Sequence, residues 1–133
     1  MSWELRDKEF ESVIKLGAPA RYEYAIKRIA DRQEVWSLWE NGWVLLGADD
    51  GREMVPVWPH ARFAAAYAVG DWADREPRAI ELSAWIDRWI PGITRDGRAV
   101  AVFPTRTADA NRGTVVEPEQ MLQDLRGELD MVE

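Results

Sequence analysis

The apolar residues of the first third of the chain recur with the period of an α-helix. Residues 3–15 predict a first helix, with Ser2 as its N-cap and Gly17 after its end. Pro19 then begins a second helix at a position where proline is well tolerated. The apolar stripe of this second helix comprises Tyr22, Ile26, Ile29 and Ala30.

Between residues 35 and 58 the pattern changes to short apolar runs separated by turn residues. Asn41-Gly42 and Asp50-Gly51 each lie between two runs, and such pairs favour two-residue hairpin turns because both central residues need positive φ. We therefore predict an antiparallel three-stranded meander with strands at 35–40, 43–48 and 52–58.

Two-residue turns would also fix the register of this meander, placing Glu40 opposite Trp43 and Gly47 opposite Met54. Both faces of the predicted sheet are then largely apolar, so helices or a ligand must cover both. Pro56 cannot donate to a ladder, which predicts that the third strand is an edge there or changes its partner.

The remainder of the chain alternates between the two patterns. An Ala-rich helix follows His60 and stops at Gly70, and the polar stretch 71–79 predicts a loop. The later elements are a helix capped by Ser83 and ended by Pro91-Gly92, strands at 98–105 and 114–116 around a polar turn at 107–113, and a helix beginning at Pro118 with a stripe of Met121, Leu122, Leu125 and Leu129.

The predicted order is thus ααβββααββα. It describes a single α+β domain over residues 1–133, with a mixed sheet of about five strands built on the meander and helices packed around it.

Composition excludes several classes of function. The 133 residues carry a net charge of −7, and lysine occurs only three times, which argues against binding to nucleic acid. The absence of cysteine removes disulfide and thiolate chemistry. No apolar run is long enough to span a bilayer, and the acidic, amphipathic start is unlike a signal peptide. We therefore expect a cytoplasmic protein without membrane contact.

The residues that usually carry catalysis are scarce. His60 is the only histidine, which leaves no His-pair metal site, and no serine lies in a Gly-x-Ser-x-Gly elbow that could complete a triad with it. Neither a phosphate-binding loop nor a dinucleotide fingerprint occurs, so no cofactor is indicated. Paired carboxylates remain an option, since Asp71 and Asp74 share one predicted loop and Glu40 lies on a sheet face.

The most distinctive local cluster is the segment from Trp58 to Arg62, where a strand ends and a helix begins. Indole faces, an imidazole, a guanidinium and free helix amides would together suit an anion or a carboxylate. The structural alternative is a Trp58 packed under the helix and an exposed His60. The candidate binding residues, with Asp71 and Asp74 nearby, are Trp43, Trp58, His60, Arg62, Trp72 and Glu40.

Several segments resemble a small bacterial family known as domain of unknown function 2750. They are MSWELRDKEFESVIKL, EVWSLWENGWVLLG, GREMVPVWPHARFA, AIELSAWIDRWIPGI and VAVFPT. The resemblance covers essentially the whole chain, and it implies a stand-alone bacterial cytoplasmic protein without an assigned activity or site. The order of elements is also similar, more loosely, to SseB-type α+β domains, which are non-enzymatic modules.

We expect a non-enzymatic module that binds or regulates another protein, since no catalytic group is indicated. The acid excess favours a basic partner, and one form of this hypothesis is an immunity-type protein that neutralises a basic toxin. The alternative is a carboxylate-dependent enzyme, or a small-ligand-binding protein, that acts on a cationic or sugar-like ligand stacked on tryptophan.

Overall fold

The computed structural model describes residues 5–47, 51–106 and 113–131, and it has the predicted α+β class. The predicted Ser2 cap, Asp50 of the second turn and most of the polar turn at 107–113 lie outside these residues. In chain order the elements are α1 (Asp7–Ile14), α2 (Ala18–Arg32), β1 (Glu34–Trp39), β2 (Leu46–Gly47), β3 (Glu53–Val57), α3 (Ala61–Tyr67), a 3₁₀ turn (Gly70–Trp72), β4 (Glu76–Glu81), α4 (Leu82–Ala84), a π-helical segment (Trp85–Trp89), α5 (Ile90–Arg95), β5 (Ala99–Val102), β6 (Thr114–Val116) and α6 (Pro118–Met131).

The helices with the clearest periodicity are confirmed. Ile26 and Ile29 of α2 are buried, as are Met121 and Leu125 of α6. The start of α1 differs from the prediction, because Leu5 and Arg6 are not helical and the extended Arg6 forms the N-cap. The acidic first turn of α1 then lies where the helix dipole favours negative charge.

The predicted meander is wrong for its first pair of strands. Among the described residues, β1 does not form a ladder with the segment 43–47, and the two meet at a single bridge between Trp39 and Trp43. The connection therefore holds the three residues 40–42, and the Glu40 N–H donates to the Gly42 carbonyl at 2.9 Å. Asn41 has φ of 56° but Gly42 has φ of 147°, which departs from a two-residue type I′ turn.

The second hairpin is antiparallel as predicted, but its register is shifted by one residue. Leu46 pairs with Met54, and Gly47 with Glu53, where the two-residue turn had placed Gly47 opposite Met54. Five residues therefore separate Gly47 from its partner, where the predicted register leaves six.

The strand that pairs with β1 overlaps residues 71–79, for which the sequence predicts a loop. β4 pairs with β1 in antiparallel register from Glu34↔Glu81 to Trp39↔Glu76. Its sequence, EPRAIE, buries only Ile80 and carries Pro77 together with charged residues, which are features of an edge strand. Its single buried side chain left no apolar run to detect.

Pro56 marks the point where β3 changes partner, as predicted. Before it, β3 pairs with β2, and after it Trp58 exchanges backbone hydrogen bonds of 2.9 and 2.8 Å with Trp36 of β1. The Pro56 carbonyl accepts the buried Ser37 hydroxyl at 2.6 Å. On its other side β3 runs parallel to β5, which in turn pairs with β6, giving the order β2-β3-β5-β6.

Both faces of the central strands β3 and β5 are buried, whereas the sequence predicts two covered faces for the meander. Val55, Val57, Val100 and Val102 join the main core. Met54, Ala99 and Ala101 form a smaller cluster with Leu46 on the opposite side, and each of the three is at most 1% exposed. The two apolar faces thus reflect a sheet covered on both sides.

The helical region from residue 82 to 95 corrects another prediction, because Pro91 does not end it. Within the preceding π-helical segment the Ile90 N–H donates to the Trp85 carbonyl, five residues back. Proline lacks an N–H and crowds the carbonyl four residues before it in a regular α-helix. The wider turn accommodates Pro91, and the chain continues through α5 to Arg95.

Gly113 packs closely against the end of β5, and a second glycine in an open position provides a control. A Cβ on Gly113 would lie 2.2 Å from the Val102 carbonyl oxygen, and Gly113 has φ of 70°. We expect Gly113→Ala to lower the free energy of unfolding by more than about 2 kcal/mol, because both the backbone conformation and the close approach exclude a side chain.

The control is Gly127, which lies in α6 with open space around its Cα. Gly127→Ala should raise stability by roughly 0.5–1 kcal/mol, because alanine favours the helix interior. Urea denaturation of both variants measures the difference, and equal effects would contradict the close contact at Gly113.

Two tyrosines link helices and predict a loss of stability at alkaline pH. Tyr22 donates to Asp124 of α6, and Tyr24 donates to Glu9 of α1 at 2.6 Å. Burial, followed by these carboxylate partners, raises the pKa of both phenols. Their contribution is complete below the ordinary tyrosine pKa of about 10 and is lost above it, since the unfolded chain then ionises first.

Denaturation between about pH 9 and about pH 11 tests this linkage. The double variant Tyr22→Phe, Tyr24→Phe should lose unfolding free energy less steeply over this range than the parent protein. A double variant with the same slope as its parent would show that the two phenols do not contribute.

Candidate functional site

The structure brings together three of the six candidate residues and separates them from the other three. Glu40, Trp43 and Trp72 line one polar hollow of about 300 Å³, together with Arg75. Trp58, His60 and Arg62 do not line this hollow, and each has a structural contact that accounts for its position.

Trp58 is a core residue. Its side chain is 0% exposed, its indole N–H donates to the Pro104 carbonyl at 2.9 Å, and its ring lies 5.4 Å from that of Tyr67. The predicted corner thereby loses the indole face that the sequence analysis assigned to it, because the end of β3 is enclosed.

His60 caps α3. Its backbone is extended, and its Nδ1 accepts the Arg62 N–H at 3.0 Å. The imidazole therefore binds the N–H of Arg62, which is one of the helix amides that the sequence suggested for binding an anion. This is the side-chain cap that the helix needs, since His60 stands where Ser, Asp or Asn is more usual.

Arg62 connects α3 to α1. Its guanidinium lies 2.8 Å from Asp7, donates to the Leu5 carbonyl at 3.2 Å and covers the ring of Phe10 at 4.3 Å. These contacts hold α1 against the start of α3, so Arg62 stabilises the fold at this position.

The polar hollow is held by a charged and aromatic stack. Arg75 lies 3.5 Å from Glu40 and 4.1 Å above the ring of Trp72. Trp72 also contacts Tyr67 edge to face at 5.6 Å, and Arg106 lies 5.4 Å from its ring. The half-buried Trp72 is thus contacted by Arg75, Tyr67 and Arg106.

Trp43 joins this hollow to a second, more apolar depression. Its ring meets Trp39 at 5.1 Å and Trp89 at 4.9 Å, both edge to face, and Trp89 in turn stacks on Trp85 at 5.6 Å. Four indoles therefore run in one chain of contacts from the end of β1 to the π-helical segment. This arrangement brings residues 46 positions apart in the sequence, Trp43 and Trp89, into direct contact.

We call the second depression the tryptophan groove; its volume is about 390 Å³. Its sheet side and its helix side are apolar, and the residues that form them are Trp43, Leu45, Val55, Trp89, Gly92 and Ile93. Arg88, Asp96 and Arg98 add charge to the lining. An apolar concavity of this size with a few polar groups is the usual form of a ligand or anchor-residue site.

Arginine–carboxylate pairs fix one end of the groove. Arg98 lies 2.9 Å from Asp96 and 3.2 Å from Glu53. Arg52 donates to the carbonyls of Gly97 and Arg98, and its ion pair with Glu117 lowers the pKa of that carboxyl. The charged end of the groove is therefore preorganised by side chains that hold one another.

The helix side of the groove was missed by the sequence analysis. Trp85 and Trp89 are four residues apart in the helix for which the sequence predicts an end at Pro91. The signal that was present is the proline itself, because Pro91 directly after an apolar helical pattern either ends the helix or requires a widened turn.

Neither a metal-binding cluster nor a membrane-spanning helix is present in the part of the chain that the structure describes. Within residues 5–47, 51–106 and 113–131, no group of three or more histidine, aspartate and glutamate side chains is arranged to hold a metal ion. No helix in those ranges has the length and apolar character needed to cross a membrane.

A family model described as "Protein of unknown function (DUF2750)" matches residues 22–125 of the chain. The chain belongs to the DUF2750 family. The match extends from α2 into α6 and so includes both sides of the tryptophan groove of this DUF2750 member. No curated protein and no solved structure matches the chain. The family resemblance found in the sequence is thus confirmed, and the looser likeness to SseB-type domains stays a prediction.

The cap at His60 makes a prediction that separates packing from binding. His60→Ala should lower the free energy of unfolding by about 0.5–2 kcal/mol, because the Arg62 N–H loses its acceptor. His60→Asn should retain most of the stability, since an amide oxygen can accept from the same N–H. Chemical denaturation measures both, and an alanine variant as stable as its parent would contradict the capping role.

Proposed function

We propose that this DUF2750 member is a non-enzymatic binding module that recognises another protein through the tryptophan groove. The observation that carries the proposal is the pair of half-buried indoles, Trp43 and Trp89, which meet in an open apolar groove. Tryptophan is the residue type most enriched at the energetic centres of protein interfaces, where an anchor side chain fills a desolvated pocket.

The charged residues of the site support binding over catalysis. The groove is lined by one carboxylate, Asp96, and the hollow by one, Glu40; each is paired with an arginine. General acid–base chemistry needs a carboxylate that is free to exchange a proton with the substrate, whereas Asp96 and Glu53 are both engaged by Arg98 and Glu40 is engaged by Arg75. The one histidine, His60, accepts a backbone N–H as a helix cap.

The net charge of −7 supports a partner with basic surface outside the groove, because complementary charge accelerates encounter. An immunity-type protein that neutralises a basic toxin in the bacterial cytoplasm is one form of this proposal. The second candidate function is the binding of a small ligand, which the groove volume of about 390 Å³ also fits.

Site-specific photo-crosslinking in the host distinguishes these functions. A benzophenone amino acid in place of Arg88 stands at the groove, whereas the same group in place of the exposed Arg126 stands on α6, away from it. We expect one protein to be captured from position 88 and not from position 126. Capture from position 126 alone would contradict the proposal.

Native mass spectrometry of the protein purified from its host provides the complementary measurement. A small molecule that remains bound in the parent protein, together with no capture from position 88, would favour the small-ligand function.

A further inference from the structure

Arg88 is an exposed cation of the tryptophan groove, and in the described part of the chain it has neither an ion pair nor a hydrogen-bonding acceptor for its guanidinium. The groove's other arginine, Arg98, is held by Asp96 and Glu53. Arg75 of the neighbouring hollow is likewise paired, with Glu40. An available guanidinium beside an apolar groove is suited to a carboxylate, which it can bind through two parallel hydrogen bonds.

A second feature of the same wall also points to a functional role. The indole N–H of Trp85 is buried without a hydrogen-bond partner, and it is the only such buried side-chain donor or acceptor among the described residues. Trp85 begins the π-helical segment and stacks on Trp89, which lines the groove. Unsatisfied buried donors and π-helical turns are both rare and are both enriched at functional sites.

The charges around the groove limit the occupant to a single carboxylate. Asp87 is exposed beside Arg88, Asp96 lines the groove, and Glu53 lies at its end. A run of acidic residues would meet these carboxylates and a chain of net charge −7. One negative group next to a large apolar side chain matches both the free guanidinium and the apolar lining.

We infer that the tryptophan groove binds the C-terminal residue of a partner protein, with its large apolar side chain in the groove and its terminal carboxylate on Arg88. The inference rests on the proposed function and specifies its ligand. Arg88 and Trp89 both line the groove, so a cation and an indole are available in the same cavity. A C-terminal residue carries its charge and its apolar side chain on one Cα, so both groups can enter a groove of about 390 Å³.

The test uses the full chain and synthetic ten-residue peptides that carry the C-terminal sequences of the host's proteins. Each peptide is made with a free carboxylate and with a C-terminal amide. We expect the binding peptides to end in a large apolar residue. Isothermal titration calorimetry should show that amidation weakens binding at least about tenfold, because a charge-assisted pair is lost.

Two charge-reversal variants localise the effect. Arg88→Glu should weaken binding of the free-carboxylate peptides at least about tenfold. Arg126→Glu makes the same change at an exposed residue of α6 outside the groove lining, and it should leave the affinity nearly unchanged. Circular dichroism of both variants checks that each remains folded.

Other outcomes overturn the inference in distinguishable ways. If no peptide binds, or if free and amidated peptides bind equally, the terminal carboxylate is not recognised. If position 88 still captures a protein whose binding survives removal of its last residue, the proposed function stands and the inference fails. If position 88 captures nothing and no free-carboxylate peptide binds the parent protein, which retains Arg88, both fail.

Discussion

Two backbone hydrogen bonds between Trp36 and Trp58 connect the two sheets of this protein. Trp36 belongs to β1, which also carries β4, while Trp58 follows β3, which also pairs with β5. The Trp58 side chain closes the same junction from within, because its buried N–H bonds the Pro104 carbonyl beyond β5. These bonds hold β1 in place. The residues that follow β1 therefore have a defined position, in which the ring of Trp43 contacts that of Trp89.

Much of the fold could be predicted from the sequence because the apolar stripe that a helix buries is visible in a short stretch of its own residues. The stripes of α2 and α6 repeat within a few turns, and each is backed by tertiary contacts that agree with it. Strand pairing depends instead on distant partners. Asn41-Gly42 correctly indicated a reversal of the chain, but β1 satisfies its ladder with β4, whose only buried residue is Ile80.

The candidate site was predictable in part for the same reason. Glu40, Trp43 and Trp72 were found because they lie beside turn and loop signals, where a large aromatic residue is conspicuous. For Trp58 the sequence left a binding role and a packed position under the helix both open, because a strand end and a helix start look alike whether they are exposed or enclosed. The contact between Trp43 and Trp89 has no local signature, since it arises only when the helix after β4 packs across the sheet.

The π-helical segment gives the groove an unusual dependence on chain length. Each residue of a helix turns the chain by about 100°, so the extra residue held in the wide turn sets the direction in which α5 faces. Removing one residue there would rotate Ile93 and Asp96 away from Trp43 without altering any side chain of the groove. The helix side of the groove is thus encoded by the number of residues in the segment as well as by their types, and insertions or deletions are the changes to which it is most sensitive.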